Sequence, residues 1–400
     1  MAHSVRIVTY RLFVMNGICI KLNKMKLDSN FRDFSGFVQG LRDFDGHEEV
    51  LLACDEQTGL RALIAVHNTF RGPGVGGTRL WKYENDSAAV TDVLRLSRGM
   101  TFKNAMAELP FGGGKAVILA PDFSKFGRGE LMRAFGRAVS KLEGRYFTAE
   151  DVGTSCDDMA EIRNETKCIF GLKETSGDPS PHTARGVLLG IEASVAERLQ
   201  CDSLKGVRVL VQGVGNVGYH LCSMLHGKGA QLLVSDINRA GVKRCEQKFG
   251  ATAVSPEDVY DTEAEIYAPC ALGATVSVEN LDRLKVSIIA GAANNQLRDA
   301  EAAAALQQRD ILYAPDYLIN AGGIINIACE MEGAYDPVKA ALEVSKIKPR
   351  LQEVFRRSRA EGKETWIVVD EMTRELFQMQ GISKVRGPEA VPIDGPLASA

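Results

Sequence analysis

The sequence predicts an α/β protein of two domains, on three observations. Its 400 residues carry ordinary apolar (45%) and charged (25%) fractions, enough for two sizeable cores. From Val207 onward, short apolar runs alternate with helix-like stretches, the rhythm of a parallel sheet wound on both faces. Ahead of that region lies TSGDPSP (175–181), where Gly, Pro and Ser cluster as they do at a hinge.

The elements follow in order. Residues 5–22 are apolar but broken by Arg6, Arg11 and Lys21, too interrupted for a membrane span, and no small-residue cleavage site follows. Residues 1–35 are therefore expected to be a poorly ordered extension, with Met15 and Met25 as alternative starts of translation. EVLLAC (49–54) and ALIAVH (62–67) read as paired strands, and the glycine-rich 72–78 as a loop or strand end with close backbone approach. Asp86 or Ser87 can cap a helix whose apolar positions include Val90, Val93, Leu94 and Met100. Gly112, Gly113 and Gly114 lead through Lys115 into a buried strand at 116–120, and 130–142 has amphipathic helical spacing. Beyond the hinge come a helix at 183–199, a strand at 207–211, GVGNVG, a helix, a strand at 231–235 and Asp236. Further strands are expected at 264–267, 286–290 and 311–314. After Pro337, apolar spacing at Leu342, Val344, Ile347 and Leu351 predicts helices that pack back toward the first domain. The expected divisions are 1–35, 36–178, 179–336 and 337–400.

Composition excludes several functions. Net charge is −3 with no basic block, so neither nucleic acid nor an anionic membrane has a landing surface. Nine cysteines without C-x-x-C pairs fit reduced, buried thiols, and six histidines without ligand spacing argue against zinc or another metal. The cytoplasm is the expected compartment.

Two motifs carry chemistry. In MTFKNAMAELPFGGGK (100–115), Lys115 emerges from three glycines, which remove side chains that would crowd it, and Lys103 lies upstream. A compact ammonium in such a place can hold a carboxylate or act as a base. Gly114-Lys115 is not the end of a P-loop, because Ala116 follows where Ser or Thr is required, and Leu109 occupies the place of the first glycine. In the second motif, Gly213, Gly215 and Gly218 fit the strand–turn–helix fingerprint that cradles a pyrophosphate, with Asn216 and Val217 between them. Asp236 closes the next strand, where an acid binds the adenosine ribose and repels a 2′-phosphate. The reading is a Rossmann-type, doubly wound NAD-binding domain; Arg239 leaves tolerance of NADP open.

GPGVGGTRLW, SRGMTFKNAM, LPFGGGKAV, GRYFTAEDVGT, VQGVGNVG, IYAPCALGA, AGAANNQL and YAPDYLINAGG together resemble the glutamate/leucine/phenylalanine/valine dehydrogenase family, and within it most nearly the leucine dehydrogenases. The resemblance runs from about Gly46 into the C-terminal region and implies a first domain for substrate binding and oligomerisation. The implied activity is NAD-dependent, reversible oxidative deamination of an L-amino acid to a 2-oxo acid and ammonia. By matching motifs, Lys103 would hold the substrate carboxylate with the backbone around Gly76 and Gly77, Lys115 would be catalytic, and Asp151 its acidic partner. Asn294, Asn320 and Thr183 would lie near the nicotinamide or substrate. Val75, Ala149, Ile324 and Ile327 would line the side-chain pocket. All four are apolar, which argues against a substrate γ-carboxylate and for branched aliphatic side chains, with phenylalanine or tryptophan as the alternative. The family implies a homo-oligomer, with an octamer as the expected assembly, and a cleft that closes about the hinge. Two other readings compete: a 2-hydroxy-acid dehydrogenase using His182 and Arg185, and a non-catalytic NAD-binding regulator.

Overall fold

Two separate sheets organise the chain in the computed structural model, which describes residues 6–11, 34–171, 177–271, 273–331 and 335–379. The first region runs β1 (Arg6–Arg11), α1 (Phe34–Gln39), β2 (Glu49–Asp55), β3 (Leu60–Asn68), β4 (Gly74–Val75), β5 (Thr78–Trp81), α2 (Asp86–Met106), β6 (Gly112–Leu119), α3 (Arg128–Ser140), β7 (Tyr146–Phe147) and α4 (Cys156–Arg163). Then come α5 (Ser180–Leu199), β8 (Arg208–Gln212), α6 (Asn216–Gly227), β9 (Gln231–Ser235), α7 (Arg239–Phe249), β10 (Thr252–Ala253), β11 (Ile266–Pro269), α8 (Val278–Leu281) and β12 (Ile288–Ile289). The chain continues through α9 (Ala300–Gln308), β13 (Leu312–Tyr313), α10 (Asp316–Ile319), α11 (Gly322–Met331), α12 (Pro337–Ser345), α13 (Ile347–Glu361) and α14 (Thr365–Met379).

Among the described residues the first sheet is mixed, in the order β1-β2-β3-β6-β4-β7, with β5 also paired to β6. The expected pairing of β2 with β3 is present and antiparallel, with Leu51 opposite Ile64. Alternation of side chains explains its two covers. Leu51, Ala53, Ile64, Val66, Ala116 and Ile118 face α3 and α4. Val50, Leu63, Ala65 and Val117 face Val90, Val93 and Leu94 of α2. Each of these buried Val, Leu and Ile side chains contributes about 1.5–3 kcal/mol of transfer free energy.

The second sheet runs β10-β9-β8-β11-β12-β13 with every pair parallel. Val209 and Val211 enter one core while Leu210 enters another, and Ile266, Tyr267 and Ala268 alternate in the same way. A sheet buried on both faces is the doubly wound arrangement that the sequence predicts.

Several expectations need correction. Within 1–35, expected to be poorly ordered, Arg6–Arg11 pairs antiparallel with β2, Ile7 opposite Ala53. The run RIVTYR is rich in β-branched and aromatic residues that favour a strand; α1 already begins at Phe34, and residues 1–5 and 12–33, like the part of the hinge at 172–176, lie outside the described residues. The α2 cap is Asn85, whose side chain accepts from the Ala88 amide at 2.9 Å, rather than Asp86 or Ser87. β6 begins at Gly112, so the three glycines belong to the strand rather than preceding it. At the C-terminal end, α14 lies against α2. Arg98–Asp370 (3.0 Å) and Arg350–Glu108 (3.2 Å) are ion pairs between the last helices and the first region.

Candidate active site

The glycines place the lysines. A Cβ on Gly113 would sit 2.1 Å from the Thr101 hydroxyl and 2.2 Å from the Thr101 nitrogen. One on Gly112 would meet the Asn68 carbonyl at 1.9 Å, and one on Gly114 the Tyr146 ring at 2.5 Å. The missing side chain at Gly113 therefore lets α2 lie directly on β6, which brings Lys103 of the helix toward Lys115 of the strand, while Gly112 and Gly114 let neighbouring strands close in. The sequence reading assigns these glycines to clearance for substrate; in the structure their space is filled by the protein itself.

Lys115 is buried, 5% exposed, and its Nζ lies 2.7 Å from Asp151 Oδ2. Asp151 sits just after β7 in a turn held by its own amide, which donates to Thr154 Oγ1 at 3.0 Å. Gly77 abuts this turn, since a Cβ there would fall 2.7 Å from the Glu150 carbonyl and 2.9 Å from Asp151 Cβ. Gly76 is as confined, because a Cβ there would stand 1.9 Å from the Gly114 carbonyl, and its own carbonyl accepts from the Tyr146 hydroxyl at 2.6 Å. Burial would raise the Asp151 pKa, but the Lys115 ammonium and the Arg79 guanidinium, 3.5 Å from Oδ2, outweigh it and hold the carboxyl at about 2.

Lys103 is half-buried and donates to Asn294 Oδ1 at 2.9 Å. The same oxygen accepts from Asn320 Nδ2 at 3.0 Å. These bonds join α2 to the loop after β12 and to the end of α10, so the two halves of the chain touch at these three predicted residues. Desolvation lowers the Lys103 pKa to about 8, opposed by Asp316 and reinforced by Lys115. Asn320 Oδ1 is buried without a hydrogen-bond partner, an acceptor aimed at no protein group.

Val75, Ala149, Ile324 and Ile327 are all buried in one continuous apolar cluster that includes Leu109, Phe111 and Phe170. Phe147 stacks on Phe170, with centroids 4.8 Å apart and planes at 11°. This cluster offers apolar surface and no counter-charge.

The glycine loop tests the fit of a dinucleotide. Gly213 has φ +95°, which a side chain resists, and a Cβ on Gly218 would lie 1.9 Å from the Gly213 carbonyl, so strand and helix need glycine at both places. Gly215 has open space where a Cβ would stand, and α6, which begins at Asn216, carries no side-chain cap. Free amides at a helix N-terminus with room before them suit a pyrophosphate. Asp236 accepts from the Val214 amide and the Asn238 amide, each at 2.7 Å, which ties the loop to the end of β9. Asn216 is exposed and Val217 half-buried on the first turn of α6. Thr183 donates to the Pro179 carbonyl at 3.2 Å, and Gly323 lies against its hydroxyl. His182 is a first-turn residue of α5, where its carbonyl packs on Gly322.

Two charged residues within the motifs carry roles that sequence reasoning misses. Arg79, in GGTRLW, reaches Asp151 and also Asp92 at 2.9 Å. Asp316, in YAPDYLI, is buried and accepts from the Gln296 amide at 3.0 Å and the Tyr317 amide at 2.8 Å. A lone charge inside an otherwise apolar motif is the available signal. Among the described residues no cluster of His, Cys, Asp or Glu could hold a metal, and no helix is long and apolar enough to cross a membrane. The described cysteines are thiols rather than disulfides; Cys222, Cys245 and Cys329 are buried, whereas Cys201 is exposed.

Comparison with known proteins extends these observations. The family model described as Glu/Leu/Phe/Val dehydrogenase, dimerisation domain, matches residues 17–168. That described as Glutamate/Leucine/Phenylalanine/Valine dehydrogenase matches 176–242 and 233–385. Leucine dehydrogenase of Bacillus subtilis (strain 168) is 47% identical over 335 residues, 83% of this chain and 92% of the relative. L-Tryptophan dehydrogenase of Nostoc punctiforme is 46% identical over 318 residues, 79% and 89% of the respective chains. A crystal structure of L-tryptophan dehydrogenase from Nostoc punctiforme matches with a TM-score of 0.72 at 42% identity, covering 84% of this chain and 98% of that one.

Proposed function

Because the chain belongs to the Glu/Leu/Phe/Val dehydrogenase family and is an amino acid dehydrogenase, we propose that its own reaction is NAD-dependent, reversible deamination of a branched aliphatic L-amino acid. The observation that carries the chemistry is the buried Lys115–Asp151 pair at 2.7 Å, beside a second lysine. The preference for NAD rests on Asp236, whose carboxylate at the end of β9 repels a 2′-phosphate. The branched aliphatic preference rests on the apolar cluster around Val75, Ala149, Ile324 and Ile327, which offers no counter-charge to a polar side chain.

When bound, the nicotinamide accepts the hydride that leaves the substrate Cα. This chain's residues do the rest. Lys103 anchors the carboxylate that every amino acid carries, with the backbone at Gly76 and Gly77 beside it. Asn320, with its free buried acceptor, takes a hydrogen bond from the substrate amino group, and Asn294 and Thr183 stand toward the nicotinamide carboxamide. Lys115, once it has passed its ammonium proton to Asp151, takes one from the water that attacks the imine carbon, and Asp151 delivers the proton it received to the nitrogen that departs as ammonia. Gly213, Gly215, Asn216, Val217 and Gly218 hold the pyrophosphate. The assembly is proposed to be a homo-oligomer built through the first region, in keeping with the dimerisation domain its family model describes, and the compartment to be the cytoplasm.

The test is NADH oxidation with a panel of 2-oxo acids, with and without ammonium. The expected result is ammonium-dependent oxidation, fastest with 4-methyl-2-oxopentanoate and its branched relatives. Faster turnover of indolepyruvate or phenylpyruvate would move the assignment to an aromatic substrate; no oxidation would leave a binding protein.

A pH dependence follows from Lys103. With its pKa lowered to about 8, the free protein loses the anchoring ammonium as pH rises through that value. KM for the 2-oxo acid should rise above pH 8, approaching about tenfold per unit, while KM for NADH stays level. A 2-oxo acid KM that is flat from pH 7 to 9.5 would remove Lys103 from carboxylate binding.

A further inference from the structure

Asp151 is not held by Lys115 alone. β5 runs parallel to β6 with Arg79 opposite Val117, which puts Arg79 on the same face of the sheet as Lys115. On that face Arg79 is mostly buried, 18% exposed, and its guanidinium lies between two carboxylates: Asp92 of α2 at 2.9 Å and Asp151 at 3.5 Å. Asp92 also accepts from the Tyr83 hydroxyl at 2.6 Å, so its position is fixed from a second side. The Arg79 Nε has no hydrogen-bond partner, and it is the atom nearest Asp151. A short movement of the turn carrying Asp151 would complete that bond.

We propose that Arg79 is a positioning residue for the reaction: anchored on Asp92, it fixes the orientation and the charge of the Asp151 carboxylate against Lys115. The inference rests on the reading of Lys115 and Asp151 as the proton-handling pair. A planar guanidinium suits the task, because it reaches two carboxylates from one rigid group and does not titrate with the pair it supports. The charged groups around Asp151 are then Lys115 and Arg79 in contact, with Lys103 acting at longer range and the Tyr146 phenol nearby. Two carboxylates and two cations alternate in the order Lys115, Asp151, Arg79, Asp92, which lets a charged pair persist at a depth where an isolated carboxylate would be costly.

The Arg79 cation helps to hold the Asp151 carboxyl low, so removing it makes the carboxyl beside Lys115 hold a proton more tightly. Arg79→Gln and Arg79→Lys are assayed in the oxidative direction for kcat and for kcat/KM against pH, with Lys115→Ala and Asp151→Asn alongside. Arg79→Gln should lower kcat at least about tenfold and move the acid limb of kcat/KM up by about one unit, with NADH affinity retained. Arg79→Lys, which restores the charge without the two-ended reach, should recover the limb more than it recovers kcat. An Arg79→Gln profile that superimposes on that of the unsubstituted enzyme overturns the inference. If Arg79→Gln does not fold by circular dichroism, Arg79→Lys decides: kcat within twofold and an unmoved limb overturn it. The two levels fail differently. Turnover surviving in Lys115→Ala and Asp151→Asn overturns the pair itself, whereas inactive pair variants with an unmoved Arg79→Gln limb overturn only the role of Arg79.

Discussion

Replacing Lys115 with alanine is expected to abolish turnover while NADH still binds. Lys115 stands on β6 of the first sheet, whereas the glycine loop at Gly213–Gly218 follows β8 of the second, so the substitution leaves the nucleotide site untouched. General acid–base groups of this kind supply about 10²–10⁴ in rate, and a loss of about 10³ or more in kcat is expected. The fold should survive. Breaking a buried ion pair by removing one partner typically costs about 3–5 kcal/mol, because the other charge is stranded. Here Asp151 keeps Arg79 at 3.5 Å, so the loss should fall below that range. Stopped-time NADH oxidation with a 2-oxo acid and ammonium reads the first effect, and NADH fluorescence titration the second. A kcat near that of the unsubstituted enzyme would end the assignment of Lys115.

The parts of the molecule legible in sequence are those whose signal is local. The dinucleotide half announces itself because a parallel sheet buried on both faces demands alternating apolar runs, and because Gly213 and Gly218 answer a steric requirement within six positions of each other. Asp236 is placed by the same short-range logic, although its bonds to Val214 and Asn238 show it also bracing the loop, which no spacing reveals. The first region is harder to read. Gly112, Gly113 and Gly114 answer Asn68, Thr101 and Tyr146, residues distant along the chain, so a packing requirement looks like room for substrate. Arg79 escapes for a related reason: its meaning lies in Asp92 and Asp151, on a helix and a turn that only the folded sheet brings to it. The edge strand Arg6–Arg11 has the residue types of a strand but no visible partner until β2 is in place.

Gly113→Ala should drive a methyl from β6 directly into the backbone of α2. Its Cβ would stand 2.1 Å from the Thr101 hydroxyl, 2.2 Å from the Thr101 nitrogen and 2.6 Å from the Ser97 carbonyl. Two of those three atoms are helix backbone, so no rotamer change relieves the clash; α2 must shift as a body from β6 or the strand must buckle. Overpacking a fitted core costs about 1–3 kcal/mol, and a clash with backbone belongs at or above the upper end. The displacement also has a functional direction. Thr101 lies one half-turn before Lys103, so lifting α2 carries Lys103 away from Lys115 and strains its 2.9 Å bond to Asn294. A misplacement of about 1 Å is enough to lower the rate about 10²-fold. Urea unfolding should show a lower midpoint, and kinetics a higher KM for the 2-oxo acid together with a lower kcat. Gly227→Ala is the control: at the end of α6 its added methyl meets nothing within 4 Å, and it should be neutral or slightly stabilising. If both variants unfold and turn over alike, Gly113 is not what sets the distance between the two lysines.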